Sequence, residues 1–282
     1  MPDHYEIDDY DLKGFIHQAS RYGSSGFGFV VTPNADHLVR LRTDETFRRY
    51  YREAAYVLLD SRLASHVLKL VRRQRFPVCT GSDLTAALFS RVVTPEDTIV
   101  VVGGTRAQAE QLRLRHGLRH LAHHDPPMGF ASQPEAVEEC LRFIEAHSPF
   151  RFCFLALGSP QQEMLATRLQ ERGRARGLAL CIGASINFLT GVERRAPRWM
   201  QRAGLEWLFR LGQDPRRLWR RYVTHAPRVL RVLLTGSFHL RPGAPEDARD
   251  TVAYLRLPQR DALTEPAVGV PEGRSARSAG SR

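Results

Sequence analysis

Apolar and polar positions follow a repeating order along the first two thirds of the chain. A short apolar run ends in small or polar residues, and a stretch with helical spacing comes next. This order is typical of βαβ units, in which helices join parallel strands. The sequence therefore predicts an α/β fold. The six predicted strands are 27–31, 56–59, 76–79, 98–102, 152–157 and 178–182.

The pattern changes near residue 195, where the strand-like runs stop. Helices are predicted between the strands, at 35–54, 61–75, 82–90, 105–116, 134–147 and 160–175, whereas only helices are predicted after 195. Pro197, Pro215 and Pro227 can each open one of these later helices. From Pro242 onward, Pro, Gly, Ser and balanced charges predict disorder. We therefore predict a Rossmann-like core at 1–195 with a mostly parallel sheet, a C-terminal Arg-rich helical appendage at 196–241, and a disordered tail at 242–282.

Positive charge is concentrated in the predicted appendage. The whole chain has a net charge of +11, and residues 194–241 hold 12 Arg against Glu206 and Asp214, so that 12 − 2 = +10. Arginine binds phosphate with two parallel N–H donors. The segment thus indicates a polyanionic partner, which can be a nucleic acid, an anionic membrane face or a diphosphate.

Composition restricts the class of protein. With 43% apolar and 25% charged residues, the chain is expected to form a folded core rather than a disordered or fibrous protein. No apolar run is long enough to cross a bilayer, and the acidic start does not resemble a secretory signal. We therefore expect a cytoplasmic protein. The four cysteines are widely spaced, so neither a disulfide framework nor a metal site is predicted.

Polar side chains and glycines follow the predicted strands. Ligands of open α/β sheets bind outside the carboxyl ends of the strands, so these residues are the candidate site. Asp60 can cap the next helix or act as a general base towards a sugar hydroxyl. Asn34 can likewise be a helix cap or a ligand contact. The other candidates at strand ends are Thr32, Gly103, Gly158 and Gly183.

Residues 159–162 predict a capped helix start with Ser159 as the cap, but they also allow ligand binding. Backbone N–H groups at such a helix start can hold a phosphate or a carboxylate. Gly158 permits close approach, and Gln162 and Glu163 can hydrogen-bond to the ligand. Both interpretations remain open at this point. Gly103-Gly104 is only half of a dinucleotide-binding motif, which disfavours hydride transfer.

Several motifs, in this order along the chain, carry a resemblance to a known family. They are Thr32-Pro33-Asn34, Asp60, residues 158–163 (GSPQQE), residues 191–197 (GVERRAP) and residues 204–210 (GLEWLFR). Over roughly residues 10–235 the chain resembles the WecG/TagA/CpsF glycosyltransferases, also known as glycosyltransferase family 26. The ordered combination is far more specific than any single motif.

The resemblance implies an activity and a location. Members are inverting transferases that move a sugar from a UDP-sugar to a polyprenyl-diphosphate-linked acceptor in cell-envelope or exopolysaccharide synthesis. The implied donor sugar is of the N-acetylmannosamine type or a hexose. The resemblance also implies catalysis without a metal or other cofactor, and an appendage that docks on the inner face of the cytoplasmic membrane.

The resemblance assigns roles to individual positions. Asp60 matches the proposed general base, Thr32 and Asn34 match residues that line the pocket, and Gln162 with Glu163 match a helix start that binds substrate. Many members have glycine after the aspartate, where this chain has Ser61. The arginines in or after the last two motifs, expected to close over the diphosphate, are Arg195, Arg210, Arg217 and Arg221.

Two other classes of function are compatible with the residues alone. A nucleic-acid-binding protein would explain the basic segment but not the polar strand ends. A protein that binds a sugar nucleotide without turnover would show affinity for UDP but form no product. We expect an enzyme that does not bind nucleic acid.

Overall fold

The computed structural model describes residues 4–243, with only the backbone at residues 217, 218 and 220–223. The strands and helices alternate along most of this length. In chain order they are β1 (His4–Asp8), α1 (Leu12–Arg21), β2 (Phe27–Val31), α2 (Ala35–Thr43), α3 (Glu45–Glu53), β3 (Tyr56–Val57), α4 (Arg62–Arg72), α5 (Gly81–Arg91), β4 (Thr98–Val102), α6 (Arg106–His116), β5 (His120–His124), α7 (Pro134–Ala146), β6 (Phe152–Leu155), α8 (Gln161–Arg172), β7 (Gly177–Cys181), α9 (Ser185–Leu189), α10 (Arg198–Arg202), α11 (Glu206–Gln213), α12 (Pro215–Thr235) and β8 (Ser237–Arg241).

A six-stranded sheet forms the centre of the fold, which confirms the predicted α/β class. Its strand order is β3-β2-β7-β6-β4-β5, and every pair of neighbours is parallel. Strands β4, β6 and β7 are almost entirely buried apolar runs, as expected of strands that helices cover on both faces. On β2, Phe29 and Val31 join one apolar cluster and Val30 joins the other, so a core lies on each side of the sheet.

The sequence prediction differs from the structure at several elements. Residues 76–79 form no strand, although they run next to the sheet, where Cys79 N donates to Leu59 O. Strand β5 was not predicted because its polar sequence lies at the sheet edge, where apolar side chains are not required. The predicted helix at 35–54 is two helices. Asp44 separates them, since its side chain accepts a hydrogen bond from Phe47 N and caps α3.

The prediction of helices alone after residue 195 is wrong at the end of the described chain. Strand β8 pairs in parallel with β1, forming a second sheet of two strands. The paired side chains Tyr5 and Phe238 are stacked, with ring centroids 4.6 Å apart. Val232 and Leu233 of α12 belong to the same buried cluster. The boundary at residue 195 stays a prediction, and the predicted tail lies outside the described residues from 244 onward.

A buried carboxylate links the two sheets. Asp8 accepts hydrogen bonds from Val57 N of β3, at 2.6 Å, and from Arg241 Nη2 of β8, at 2.8 Å. The first bond holds β1 against the strand that leads to Asp60. The second bond fixes the returning end of the chain, so the C-terminal helices are tied to the core at both of their ends.

The C-terminal helices cover one side of the sheet domain. Helix α12 packs against α2 and α4. The turn between α10 and α11 approaches the start of α4 so closely that a Cβ on Gly204 would lie 3.2 Å from Leu63 N. Within residues 4–243, no helix combines the length and the apolar character that crossing a membrane requires.

We predict that Asp8→Ala lowers the free energy of unfolding by about 3 kcal/mol, because it leaves the Arg241 guanidinium and the Val57 N–H without their acceptor. Urea unfolding followed by circular dichroism measures this change. The neighbouring Asp9 is exposed, so Asp9→Ala should change the stability by less than about 0.5 kcal/mol. Equal effects of the two substitutions would contradict a structural role of the Asp8 contacts.

Candidate active site

The candidate site lies at the carboxyl ends of β3, β2 and β7, which are neighbours in the sheet. Thr32 directly follows β2, and Gly183 lies two residues beyond β7. The buried Thr32 hydroxyl donates to Cys181 O at 3.4 Å. The carboxyl ends of parallel strands lie at the same edge of a sheet. Positions that are distant in sequence, such as Thr32 and Gly183, therefore come together.

Gly81 brings Asp60 and Thr32 into one cluster. Asp60 Oδ2 accepts a hydrogen bond from Gly81 N at 3.3 Å. A Cβ on Gly81 would lie 3.2 Å from Thr32 Oγ1, 3.5 Å from Ser185 Oγ and 3.6 Å from Asp60 Oδ2. The three oxygens thus lie around the Cα of Gly81, which carries no side chain. Gly81 and Ser185 were not among the predicted site residues, although Gly81 follows the apolar run 76–79.

Asp60 carries an unusual acid-base property. The pKa of its carboxyl group is raised to about 7, mainly by burial. The Gly81 N–H and the charge of Arg210 lower this pKa, whereas the charge of Glu206 raises it. The cap interpretation of Asp60 is wrong, because Ser61 is the cap of α4 and accepts from Ala64 N at 3.1 Å. The Asp60 carboxylate is therefore available to accept a proton near neutral pH.

Asp83 organises the positive charge beside this cluster. Its carboxylate accepts from Arg62 Nη2 at 2.7 Å, from Arg195 Nη1 at 2.6 Å and from the Thr80 hydroxyl at 2.8 Å. Burial alone would raise the pKa of Asp83, but the two arginines and Thr80 lower it overall. Asp83 therefore stays ionised and holds Arg195 in place.

Two N–H groups of Arg195 have no hydrogen-bond acceptor among the described residues. Its Nη1 is bonded to Asp83, but Nε and Nη2 are buried and have no hydrogen-bond partner within the described part of the chain. These two N–H groups can bind one oxyanion in parallel. Arg195 also lines a small open pocket between α5 and α9, and the other residues that line it are Ser82, Ala86, Phe188 and Leu189.

The Arg210 side chain, on α11, lies near the same aromatic ring as Arg195. The Arg210 guanidinium lies 5.4 Å from the centre of the Phe188 ring, and the Arg195 guanidinium lies 5.9 Å from it. Glu206 pairs with Arg210 at 3.5 Å. The structure thus brings Arg195 and Arg210 together. Arg217 and Arg221 lie on α12, where only the backbone is described, so their roles stay predictions.

The other predicted site residues make contacts within the protein. Asn34 caps α2, since its side-chain oxygen accepts from Asp36 N at 3.0 Å and His37 N at 3.1 Å. Gln162 Oε1 accepts from Gly183 N at 2.8 Å, which holds the loop after β7. The prediction of a Ser159 cap is wrong, because α8 begins at Gln161 and no side chain caps it.

Glu163 is fully buried beside Gln162, whose Nε2 donates to Glu163 Oε1 at 3.0 Å. Burial raises the pKa of its carboxyl group. No solvent reaches this side chain, so Glu163 supports the start of α8 from inside the protein.

Gly103 and Gly158 end strands on the other side of β7. At Gly103 the backbone has a φ of 92°, and a Cβ there would lie 2.6 Å from Ala156 O. This close approach of the chains after β4 and β6 requires glycine. Gly158 precedes α8, and its carbonyl oxygen accepts from Gln162 N at 3.2 Å.

The chain matches the sequence model of a known family over residues 4–242. The family is described as the glycosyl transferase WecG/TagA/CpsF family. The match spans most of the 282 residues. It includes the strand ends around Asp60, the pocket beside Arg195 and the C-terminal helices up to β8.

We predict that Asp60→Asn makes the protein more stable above pH 7. The folded state keeps the Asp60 proton up to about pH 7, whereas an unfolded aspartic acid loses it near pH 4. The wild-type protein therefore loses stability as the pH rises between these values. Asparagine carries no such penalty, so the variant should gain roughly 2–4 kcal/mol at pH 8 and little at pH 4.

Thermal and urea unfolding at pH 4 and pH 8 test this expectation. Asp125 is exposed after strand β5, so Asp125→Asn is the matched control at another strand end. A variant at position 60 that is no more stable than wild type at pH 8 would contradict the raised pKa of Asp60.

Proposed function

We propose a specific reaction for this chain, which belongs to the WecG/TagA/CpsF family of glycosyltransferases. Membership implies glycosyltransferase activity in the synthesis of a cell-envelope polymer. The proposed donor is a UDP-sugar of the N-acetylmannosamine type or with a hexose. The proposed acceptor is a hydroxyl group of a polyprenyl-diphosphate-linked sugar.

In the proposed reaction, Asp60 acts as the general base. Its carboxylate removes the proton from the acceptor hydroxyl as that oxygen attacks the anomeric carbon. The bond from this carbon to the UDP oxygen breaks on the opposite face, so the configuration inverts and UDP leaves with both electrons. The observation that carries this proposal is the Asp60 carboxyl group, which has a pKa of about 7 and feels the charges of Arg210 and Asp83. Asp83 in turn holds Arg195, whose Nε and Nη2 have no acceptor among the described residues.

Arg195 and Arg210 are proposed to bind the diphosphate of the donor. Cations placed where negative charge develops commonly lower a barrier by several kcal/mol. Arg195 is held by Asp83, and its Nε and Nη2, which have no acceptor among residues 4–243 as far as these are described, are proposed to bind a phosphate. Because these cations can supply the required charge, we propose that the reaction proceeds without a divalent metal. Activity in the presence of EDTA tests this point.

The remaining predicted residues are proposed to shape the pocket. We propose that Thr32 and Gly183 line the substrate site at the strand ends, and that Gln162 supports it through the hydrogen bond to Gly183 N. The side-chain oxygen of Asn34 caps α2. We therefore propose that Asn34 contacts the substrate through its amide nitrogen. Gly103 and Gly158 are proposed to act through backbone geometry, and Glu163 through the hydrogen bond that its buried side chain accepts from Gln162.

A peripheral position on the inner face of the cytoplasmic membrane is part of the proposal. The C-terminal helices expose large apolar side chains among arginines, which suits contact with anionic lipid. The exposed apolar residues of α10, α11 and α12 include Trp199, Trp207, Leu208, Trp219, Leu230 and Leu234.

We predict that Asp60→Asn lowers kcat by about 10²–10⁴-fold, which is the usual contribution of a general base. Released UDP is measured with a panel of UDP-sugars and a short-chain lipid-diphosphate acceptor. For the wild-type enzyme, kcat/KM should rise with pH and level off above about pH 7, because the base must be ionised. Near-wild-type turnover by the variant, with Asp125→Asn as the control, would refute the assignment.

We predict that Arg195→Lys lowers kcat/KM for the donor by about 10–100-fold, since lysine can still pair with Asp83 but cannot present two parallel donors. Stability should change much less than activity, which urea unfolding checks. Arg113→Lys is the control, because Arg113 pairs with Glu110 on α6 at an exposed position. An unchanged kcat/KM would place the diphosphate elsewhere.

A further inference from the structure

We infer that the exposed face of helix α4, a helix of the sheet domain, binds the anionic membrane together with α12 and so directs Asp60 towards the bilayer. The inference rests on the proposed function, because it explains how a lipid-linked acceptor reaches the base. It extends the membrane contact from the C-terminal helices to the helix that directly follows Asp60.

Helix α4 exposes apolar side chains on its outer face. Leu63 and Leu70 lie two helical turns apart, and their exposed fractions are 41% and 83%. The opposite face is formed by Ala64, Ser65 and Leu68, which are buried. A single exposed leucine needs no explanation, but two on one face beside other exposed leucines form a surface that suits contact with lipid.

The charged residues of α4 and of the segment that follows it are all basic. Residues 61–76 contain no acidic residue, and the exposed end of α4 carries Lys69, Arg73 and Arg75. Each basic residue near an anionic bilayer contributes about 1 kcal/mol of attraction. The combination of leucines with basic residues is complementary to a membrane that contains acidic lipid.

The two ends of α4 both touch the C-terminal segment. At its start, the backbone of Leu63 is in close approach to Gly204. At its end, Arg72 Nη2 donates to Leu234 O, the last turn of α12, at 3.1 Å. Helix α4 therefore lies next to the C-terminal segment, and it packs directly against α12.

Helix α12 continues the same character. Its residues Val232 and Leu233 are buried, whereas Leu230 and Leu234 are about half exposed. Residues 215–241 contain no acidic residue. We call the two helices' exposed leucines and basic residues the α4–α12 surface, defined by Leu63, Lys69, Leu70, Arg73, Leu230 and Leu234.

The position of Asp60 gives this surface a role in the reaction. Asp60 directly precedes Ser61, the cap of α4. When α4 lies on the membrane, its first turn and the carboxylate before it are at the level of the lipid headgroups. A diphosphate and its sugar at that level then reach Asp60 without leaving the bilayer surface.

The chain provides a matched control at Leu114. This leucine lies on α6, has an exposed fraction of 67% and has Arg113 and Arg115 as neighbours. Helix α6 packs on β5, at the far edge of the sheet from β3, and Arg113 there pairs with Glu110 at 2.6 Å. Leu114 has similar local chemistry but does not belong to the α4–α12 surface.

The first experiment compares Leu70→Ser with Leu114→Ser in cosedimentation with phosphatidylcholine vesicles, with and without phosphatidylglycerol. We predict about tenfold weaker binding to the anionic vesicles for Leu70→Ser, as expected when one leucine no longer enters the interface. Leu114→Ser should bind like the wild-type protein. Turnover of a water-soluble short-chain acceptor should be the same for all three proteins.

The second experiment detects contact directly. The four native cysteines are buried, so Leu70→Cys and Leu114→Cys can each be labelled with a fluorophore that responds to polarity. Addition of anionic vesicles should shift the emission to the blue at position 70 and leave it unchanged at position 114.

The outcomes separate this inference from the proposed function. Wild-type vesicle binding by Leu70→Ser, or no emission shift at position 70, would overturn the inference even if the enzyme is active. A Leu70→Ser variant that binds vesicles normally but loses self-association in sedimentation equilibrium would show an interface between copies instead. Weakened vesicle binding in a protein that releases no UDP would support the membrane surface and refute the proposed reaction.

Discussion

The ion pairs of Asp83 are the interaction on which the candidate site depends. One carboxylate on α5 holds Arg62 of α4 and Arg195 of the segment before α10. Without it, two cations would repel each other beside the strand ends, and Arg195 would not face the pocket near Phe188. A largely buried ion pair of this kind adds little net stability, but its loss is costly. Its role here is to position a guanidinium with two donors that have no acceptor in the described part of the chain.

The site holds two partly buried carboxylates with opposite pKa shifts. Asp83 has arginine partners that lower its pKa, whereas Asp60 accepts a hydrogen bond from the Gly81 backbone N–H and has a pKa of about 7. The two carboxyl groups therefore have different roles. Asp83 stays negatively charged and positions a cation, whereas Asp60 can exchange a proton. Keeping Asp60 in this environment reduces stability at neutral pH, a cost that is typical of residues retained for chemistry.

Much of the fold could be predicted from apolar runs followed by polar ends, since five of the six predicted strands overlap strands of the central sheet. The failures have physical causes. Strand β5 is polar because it lies at an edge, and residues 76–79 are apolar because they are buried without joining the sheet. Strands β1 and β8 were missed because β1 pairs with a partner more than 230 residues away, and pairing over that distance leaves no local pattern.

The sequence by itself determined the fold class, the concentration of arginine near the C-terminus and the ordered motifs that indicate the family, because periodicity, charge and short motifs are local properties. Only the tertiary structure decided which polar residues meet. It showed that Gly81 and Ser185 lie beside Asp60 and Thr32, that Ser61 rather than Asp60 caps α4, and that the Gln162 side chain bonds to the protein's own backbone. Burial and contacts between distant segments set hydrogen bonding and pKa, and neither can be read from the order of residues.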